Sequence, residues 1–353
     1  MPLNSLRRRT AWAIVVIAAA VLCSLPAEAF SMCAVGTQAH LVRFDNDLMT
    51  SRNIDGGYTS GIRIETFGKL LRHSTPIDEL VDRIAGSGIG DPCVTVDAGG
   101  HGLHSWFIAQ EIYTPASIQV AEPQPDDRPW AGVLYVGRSW EAIGRRGDAL
   151  AARRIEMGVG FVGDASLARQ AQERVHRVTG SDSPKGWDNQ IHNRVAAAIR
   201  VLERRRWGDD HADFVAHAGG MLGTLQGYAH AGATLRYGSF GCEIATPGVV
   251  SHILRVSEVG GCQRASNAAR YFGFIGVDIR ALAWNEVIDG RPRRGASHVR
   301  SKHLVGELRT GFSYGMGRWT ITYLMAWRGA EFSAPDMPNP PSVNYASIML
   351  VYE

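Results

Sequence analysis

Stretches of about ten residues in which large apolar side chains alternate with small or polar ones recur along the chain, a period of two that predicts strands. The clearest is Trp319-Thr320-Ile321-Thr322-Tyr323-Leu324-Met325-Ala326-Trp327, where every odd position is large and apolar and both ends are tryptophan. Ile275, Val277, Ile279, Ala281 and Ala283 repeat the pattern opposite a face that holds Asp278 and Arg280. Ile155, Met157, Val159 and Phe161 oppose Glu156, and Leu308, Thr310, Phe312 and Tyr314 oppose Arg309. One such strand fits a soluble sandwich as well as a membrane barrel. Several together, with aromatic ends and charges on the opposite face, predict strands with one face toward lipid and the other toward a polar lumen. Beyond the first thirty residues no apolar run is long enough for a transmembrane helix of about 20 residues. Strands can cross a bilayer only as a closed barrel, because lipid satisfies no backbone hydrogen bond. The expected fold is therefore an all-β, antiparallel transmembrane barrel. Barrels of this kind usually finish on an aromatic residue, whereas here Tyr352 is followed by Glu353.

One segment departs from the strand pattern. Ser166 to Val178 is rich in good helix formers, with Asp164 placed as an N-cap and Gly180 as a C-terminal stop. Gln172 and His176, four residues apart, share a face of that helix.

The first thirty residues set the compartment. Arg7, Arg8 and Arg9 precede an apolar run from Trp12 to Leu25 and then Ala27-Glu28-Ala29, the layout of a cleaved signal peptide over residues 1–29. Removing it takes away three Arg and one Glu and leaves 34 basic against 33 acidic residues, so net charge names no partner and nucleic acid is not expected. The remaining residues, 30–353, show no linker or repeat and read as one domain. The 40 glycines of the chain suit tight turns and closely spaced strands. Four cysteines stay in the exported chain, Cys33, Cys93, Cys242 and Cys262, and an oxidising compartment favours disulfides among them. Sequence order suggests Cys33 with Cys93 and Cys242 with Cys262, one of three possible pairings. No two lie at the CxxC spacing of a zinc site.

Three blocks carry candidate chemistry. In the first, Asn46 and Asp47 precede Gly57-Tyr58-Thr59-Ser60-Gly61 and put a neutral oxygen beside a carboxylate, as hard cations such as calcium prefer. Alone, such a cluster beside glycine is more often a turn. The second runs from Ala109-Gln110-Glu111-Ile112-Tyr113-Thr114-Pro115 to Asp127-Arg128-Pro129-Trp130-Ala131-Gly132, strand, loop and strand. Its Asp127 and Arg128 are either a phosphate-binding fork or a local ion pair. The third is the helix, where His176 beside Gln172 suggests a general base with a hydrogen-bonding neighbour, and Asp182 can orient the imidazole or bind a cation. An isolated histidine on a helix is more often a surface residue.

Taken in this order, and followed by Pro184-Lys185-Gly186-Trp187-Asp188-Asn189-Gln190, the blocks resemble the lipid A 3-O-deacylase family. The likeness is strongest from Asn46 to Arg194 and continues loosely through Ala218-Gly219-Gly220, Gly232 to Arg236 and Ala330-Glu331-Phe332. It implies a twelve-stranded outer-membrane barrel with a short helix in an extracellular loop, monomeric, with the active site between the outer wall and that helix. It further implies calcium-dependent hydrolysis of the 3-O-linked acyl ester of lipid A in lipopolysaccharide, by water activated by a histidine. Position by position, the catalytic set corresponds to His176, Asn46, Thr59 and Gln172, and Asp47 and Asp182 are the expected metal ligands. Some family members carry glutamate where this chain has Asp182, one methylene shorter. Magnesium, or a site shared with His176, is a further possibility for the cation. Two rival readings remain: an outer-membrane phospholipase with a serine nucleophile, for which Ser60 is the candidate, and a non-catalytic barrel that binds lipopolysaccharide or forms a pore.

Overall fold

The computed structural model describes residues 38–50, 57–68, 75–89, 103–240, 244, 246–248, 269–337, 340 and 342–352. The expected signal peptide and the four cysteines lie outside them. Twelve strands form one sheet: β1 (Gln38–Asn46), β2 (Gly57–Gly68), β3 (Leu103–Thr114), β4 (Ala131–Arg146), β5 (Ala149–Val162), β6 (Arg194–Gly208), β7 (Ala212–Gly223), β8 (Gln226–Ser239), β9 (Arg270–Asn285), β10 (Leu304–Met316), β11 (Trp319–Arg328) and β12 (Val343–Tyr352). Each pairs antiparallel with its neighbours, and β1 pairs with β12 from His40↔Tyr352 to Asn46↔Ala346, so the sheet closes on itself. Closure leaves no edge strand with unpaired backbone groups, the condition for crossing lipid. No helix among the described residues is long and apolar enough to cross a membrane.

The expected alternation is clear on β9 and β10, whereas both faces of β1 are mostly buried and Ile155, an outward position of β5, is buried too. Ile275, Val277 and Ile279 are exposed on the outer wall while Asp278 is buried inside, and Leu308, Phe312 and Tyr314 flank buried Arg309 in the same way. Trp319 and Trp327 stand at the two ends of β11 as an aromatic girdle requires. Tyr352 closes β12 with its ring centroid 4.6 Å from that of Trp319, so an aromatic residue does end the last strand.

The inward face combines a buried apolar cluster, with Leu41, Phe67, Phe274, Leu324 and Met349 among its members, with many charged side chains. Arg154 donates to Glu65 at 2.5 Å, Glu156 at 2.7 Å and Glu141 at 3.3 Å, and Arg63 reaches Glu65 and Glu156 at 2.9 Å each. Arg204 pairs with Glu141, Arg206 and Arg236 share Asp213, and Arg328 lies 2.7 Å from Glu307 and 3.2 Å from Glu331. A charge taken out of water costs several kcal/mol unless it is paired, so these contacts come as a web rather than as isolated side chains. Phe240 and Ile244, after β8, lie in the same space. Ile244 packs with Ile143, Leu150, Ala152 and Val215, its carbonyl accepts from Arg204 at 2.8 Å, and the Arg236 guanidinium lies 4.4 Å from the centre of the Phe240 ring.

Gln38 and Tyr352 lie at one rim, which also carries the tight turns at 147–148, 209–211 and 317–318. Short turns mark the periplasmic rim of such barrels. The loop at 163–193, between β5 and β6, is therefore at the outer rim, and it holds α2 (Ala168–Thr179), the helix expected from sequence. A second helix, α1 (Pro76–Gly86), lies in the periplasmic connection between β2 and β3 and was not anticipated. A single turn, α3 (Glu286–Asp289), follows β9, and a two-residue ladder joins Arg300–Ser301 to Phe332–Ser333 in the outer loops.

Replacing Arg154 by Met takes one arginine from each of Glu65, Glu141 and Glu156, which keep Arg63 and Arg204, and is expected to cost about 3–5 kcal/mol of stability. Arg146→Ala, at a rim-exposed pair with Glu203, is expected to cost less than about 1 kcal/mol. Denaturant unfolding in detergent, followed by tryptophan fluorescence, measures both.

Candidate active site

The site has two halves, and the first is built at the outer ends of β1, β2 and β3. Asn46 is the last residue of β1 and Asp47 begins a 3-10 turn, Asp47–Met49, that carries the chain away from the sheet. The next strand contains a bulge: Tyr58 pairs with Tyr113 and Ser60 with Ile112, which leaves Thr59 as the extra residue. A bulge re-aims side chains at a strand end, and here it turns the Thr59 hydroxyl to Thr114, 2.7 Å away. The Asn46 amide donates to the Thr59 carbonyl at 3.2 Å. Asn46, Asp47 and Thr59 are all buried. Tyr58 and Gly61 line a lumen cavity of about 130 Å³, together with Arg43 and Asp45. Asn46, one residue on from Asp45, therefore belongs to the outer face of the wall.

The second half is α2 with the loop that follows. The expected N-cap is corrected: Asp164 opens a 3-10 turn, Asp164–Ser166, and Leu167, in a left-handed conformation with φ 58°, separates it from the helix. Leu167 holds the N-cap position without a side-chain bond, and Ser166 before it accepts from the Ala168 amide through its hydroxyl at 3.3 Å. The Asp164 carboxylate is taken by Gln190 and Arg293. Gly180 ends the helix as expected, left-handed at φ 68°.

The helix lies on the outer wall over β3 and β4. Ala168 packs in one cluster with Ile112, Ile118, Trp130 and Trp187, and Gln110 donates to the Ser166 carbonyl at 2.6 Å. Close approach requires Gly132, where an added Cβ would collide with Ala168 and Ser166. Ile112 and Thr114 are alternate residues of β3, so the strand face that seats the helix is also the face that holds Thr59. Arg169 donates to Asp188 at 2.6 Å, fastening helix to loop and holding that carboxyl below the usual carboxylate range.

Gln172 and His176 are the buried polar residues of α2, one turn apart on its inner face. The Gln172 carbonyl oxygen accepts from the Trp187 indole at 2.8 Å, which leaves its Nε2 a buried donor with no hydrogen bond among the described residues. His176 Nδ1 lies 2.5 Å from the backbone carbonyl of Asp182. A carbonyl only accepts, so Nδ1 carries the proton, and in the neutral ring Nε2 keeps its lone pair. Asp182 thus orients the imidazole through its main chain, while its carboxylate is exposed. The Trp187 indole was the missed partner. Its place in the Gly186-Trp187-Asp188 block gave a signal of position but none of role.

Other candidates resolve differently. Arg128 is buried, donates to Glu331 at 3.0 Å and lies 4.7 Å from the Tyr113 ring centre, while Asp127 accepts from the Ala116 and Arg128 amides. The pair is neither a phosphate fork nor a salt bridge with itself. Ser60, beside Thr59, has no hydrogen bond to a histidine among the described residues. A further cluster, unmarked in the sequence, lies in the lumen, where His217 Nε2 and His230 Nδ1 approach one Asp278 oxygen at 2.8 and 2.9 Å. Two imidazoles and a carboxylate can bind a transition metal. Here both rings already engage the carboxylate, and Arg280 and Arg309 line the same cavity, so the cluster belongs to the lumen's charge web.

Asn46, Asp47 and Thr59, buried at neighbouring strand ends, carry oxygens of the type a hard cation takes. No curated protein matches the sequence. Among solved structures, LpxR from Salmonella typhimurium superposes with a TM-score of 0.67 at 18% identity, over 89% of this chain and 99% of that one. The beta domain of the Bordetella autotransporter BrkA follows at 0.38 and 12% identity, over 89% and 97%. The KdgM porin gives 0.34 and 8%, over 89% and 98%. The profile of the family described as outer membrane protein LpxR matches residues 14–353. With that match over nearly its whole length and a closed twelve-stranded barrel to carry it, the chain belongs to the LpxR family of outer membrane proteins.

Proposed function

We propose that the protein hydrolyses the 3-O-linked acyl ester of lipid A, with water as the nucleophile and His176 as the base. The observation that carries this reading is the His176–Asp182 hydrogen bond, which fixes the tautomer and leaves a basic Nε2 on a buried ring at the outer wall. A surface histidine without function has no need of burial or of a fixed tautomer. The position suits a lipid substrate, because the helix lies against the wall at the outer rim, where an acyl ester in the outer leaflet comes within reach.

In the proposed reaction Nε2 takes a proton from water as its oxygen adds to the ester carbonyl. The C–O bond to the sugar then breaks, the proton passes to the leaving sugar oxygen, and a fatty acid and a free 3-hydroxyl result. Gln172 Nε2, with no hydrogen bond among the described residues, would donate to the water or to the carbonyl oxygen. The Thr59 hydroxyl and the Asn46 amide, fixed by Thr114 and the bulge, hold the other side of the ester. Asp47 would be the principal ligand for calcium and Asp182 a second, and the bound ion would supply positive charge against the developing oxyanion.

His176→Ala is expected to lower turnover by about 10²–10⁴-fold. Mass spectrometry of lipid A incubated with detergent-solubilised protein reads this as retention of the acyl chain, and chelation of calcium is expected to have the same effect on the wild type. Lipid A left unchanged by wild-type protein with calcium present overturns the hydrolase reading. Gln172→Leu is expected to reduce turnover by 10-fold or more, in line with removal of an oxyanion donor. Ser60→Ala, with a serine-directed inactivator as a parallel probe, separates the two ester chemistries. Full activity and no covalent label agree with attack by water, whereas labelling at Ser60 with loss of activity establishes an acyl-enzyme.

A further inference from the structure

The outer wall of the barrel is not apolar all the way round. On β3 and β4, His104 and Arg138 alternate with lumen-facing Ser105, Phe107, Gly137 and Ser139, so they stand on the face that elsewhere meets lipid. Helix α1 covers them. The Asp78 carboxylate accepts from Arg138 and from the Trp140 indole, each at 2.8 Å, and Asp82 lies 3.0 Å from His104 Nε2. Val81 and Ala85 pack on Trp140 and Ile155, two outward residues buried only because the helix lies over them. Both helix ends are fixed. Thr75 and Asp78 form a capping box with Pro76 behind it, and Arg153 donates to the carbonyls of Ile84 and Ser87 at 3.0 and 2.8 Å.

With α1 clamped in this way its circumference divides into three sectors. Asp78, Val81, Asp82 and Ala85 face the wall. Glu79 and Arg83 share a charged sector, four residues apart. Ile77, Leu80 and Ile84, 60%, 54% and 50% exposed, form the third. On the strand faces that α1 covers, the outward positions beyond His104, Arg138 and Ile155 toward the outer rim carry exposed Trp106, Ile108, Val136 and Val159. A helix meeting only water needs no third sector, and one buried in a protein interface would not continue a lipid belt.

We propose that α1 is a membrane-interface helix, with Ile77, Leu80 and Ile84 in the acyl chains of the periplasmic leaflet's phospholipids and Glu79 and Arg83 toward water. It carries the apolar belt across a sector of wall whose own side chains are charged. The occupant is lipid because the aliphatic stripe is continuous with the barrel's lipid-facing surface, and amphipathic helices with such a division lie in the interface plane. The inference is independent of the catalytic reading.

The test reconstitutes the exported protein in phosphatidylethanolamine and phosphatidylglycerol vesicles that contain a phospholipid with a diazirine on its acyl chain. After irradiation, adducts are mapped by peptide mass spectrometry. Adducts at Ile77, Leu80 and Ile84, at yields within about threefold of those at Ile275 and Val277 on β9, are expected. Adducts on β9 with none on residues 75–89 overturn the proposal. An Ile77→Ser, Leu80→Ser, Ile84→Ser variant, with its folded state checked by heat-modifiable migration in electrophoresis, is expected to lose α1 adducts at least fivefold and keep those on β9. Equal labelling of α1 in that variant shows that the stripe does not hold the helix in lipid.

Discussion

Everything in this molecule depends on the ladder between its first and last strands. A sheet that crosses lipid must pair every backbone amide and carbonyl within itself, and the pairing of β1 with β12 is what removes the two edges. Once the sheet is closed, each strand presents one set of side chains outward and the alternate set inward, and a shift of one residue would exchange them. Arg154 and its three glutamates can exist only inside; Ile275 and Val277 only outside.

The same division explains where the candidate site lies. The lumen is occupied by paired arginines and carboxylates, by apolar side chains and by Phe240 and Ile244, and the cavity beside Arg43 and Asp45 is about 130 Å³. Chemistry on a lipid is better placed where lipid already is. The outer wall supplies a seat for α2 at Gly132 and Ile112, and the Thr59 bulge turns polar groups outward at the strand ends where a regular ladder would have continued. At both rims a helix laid on the outside of the wall completes a surface that the strands alone do not finish: α2 with a buried histidine, α1 with two buried aspartates.

The strands were legible because inside and outside differ so sharply in chemistry that the period of two survives in the sequence; Asp278 between Val277 and Ile279 is enough to set the register of β9. The α2 helix and its Gly180 stop were legible for the same kind of local reason. The Asp164 cap was not, because the carboxylate is claimed by Gln190 and Arg293, distant residues that local pattern does not reveal. The α1 helix had a readable start, Thr75-Pro76 with Asp78 following, yet its apolar residues divide between wall and lipid, which blurs the single stripe by which amphipathic helices are usually recognised. The grouping of His176 with Gln172 followed from helical spacing, whereas the Trp187 indole and the Asp182 carbonyl became visible only in three dimensions, since a main-chain acceptor leaves no mark on residue identity.

The order in which the chain can be assembled follows from where Asn46 sits. Its neighbours across the sheet are Ser60 on one side and Ala346 on the other, residues from the second strand and from the last. Contacts so far apart along a chain form late, after the entropy of a very large loop has been overcome. A polypeptide halted before β12 would already possess His176 and its helix but would lack one flank of the strand that ends in Asn46. Completion of the rim that bears the candidate site is thus tied to the final act of barrel biogenesis, and an incompletely inserted chain would lack part of it.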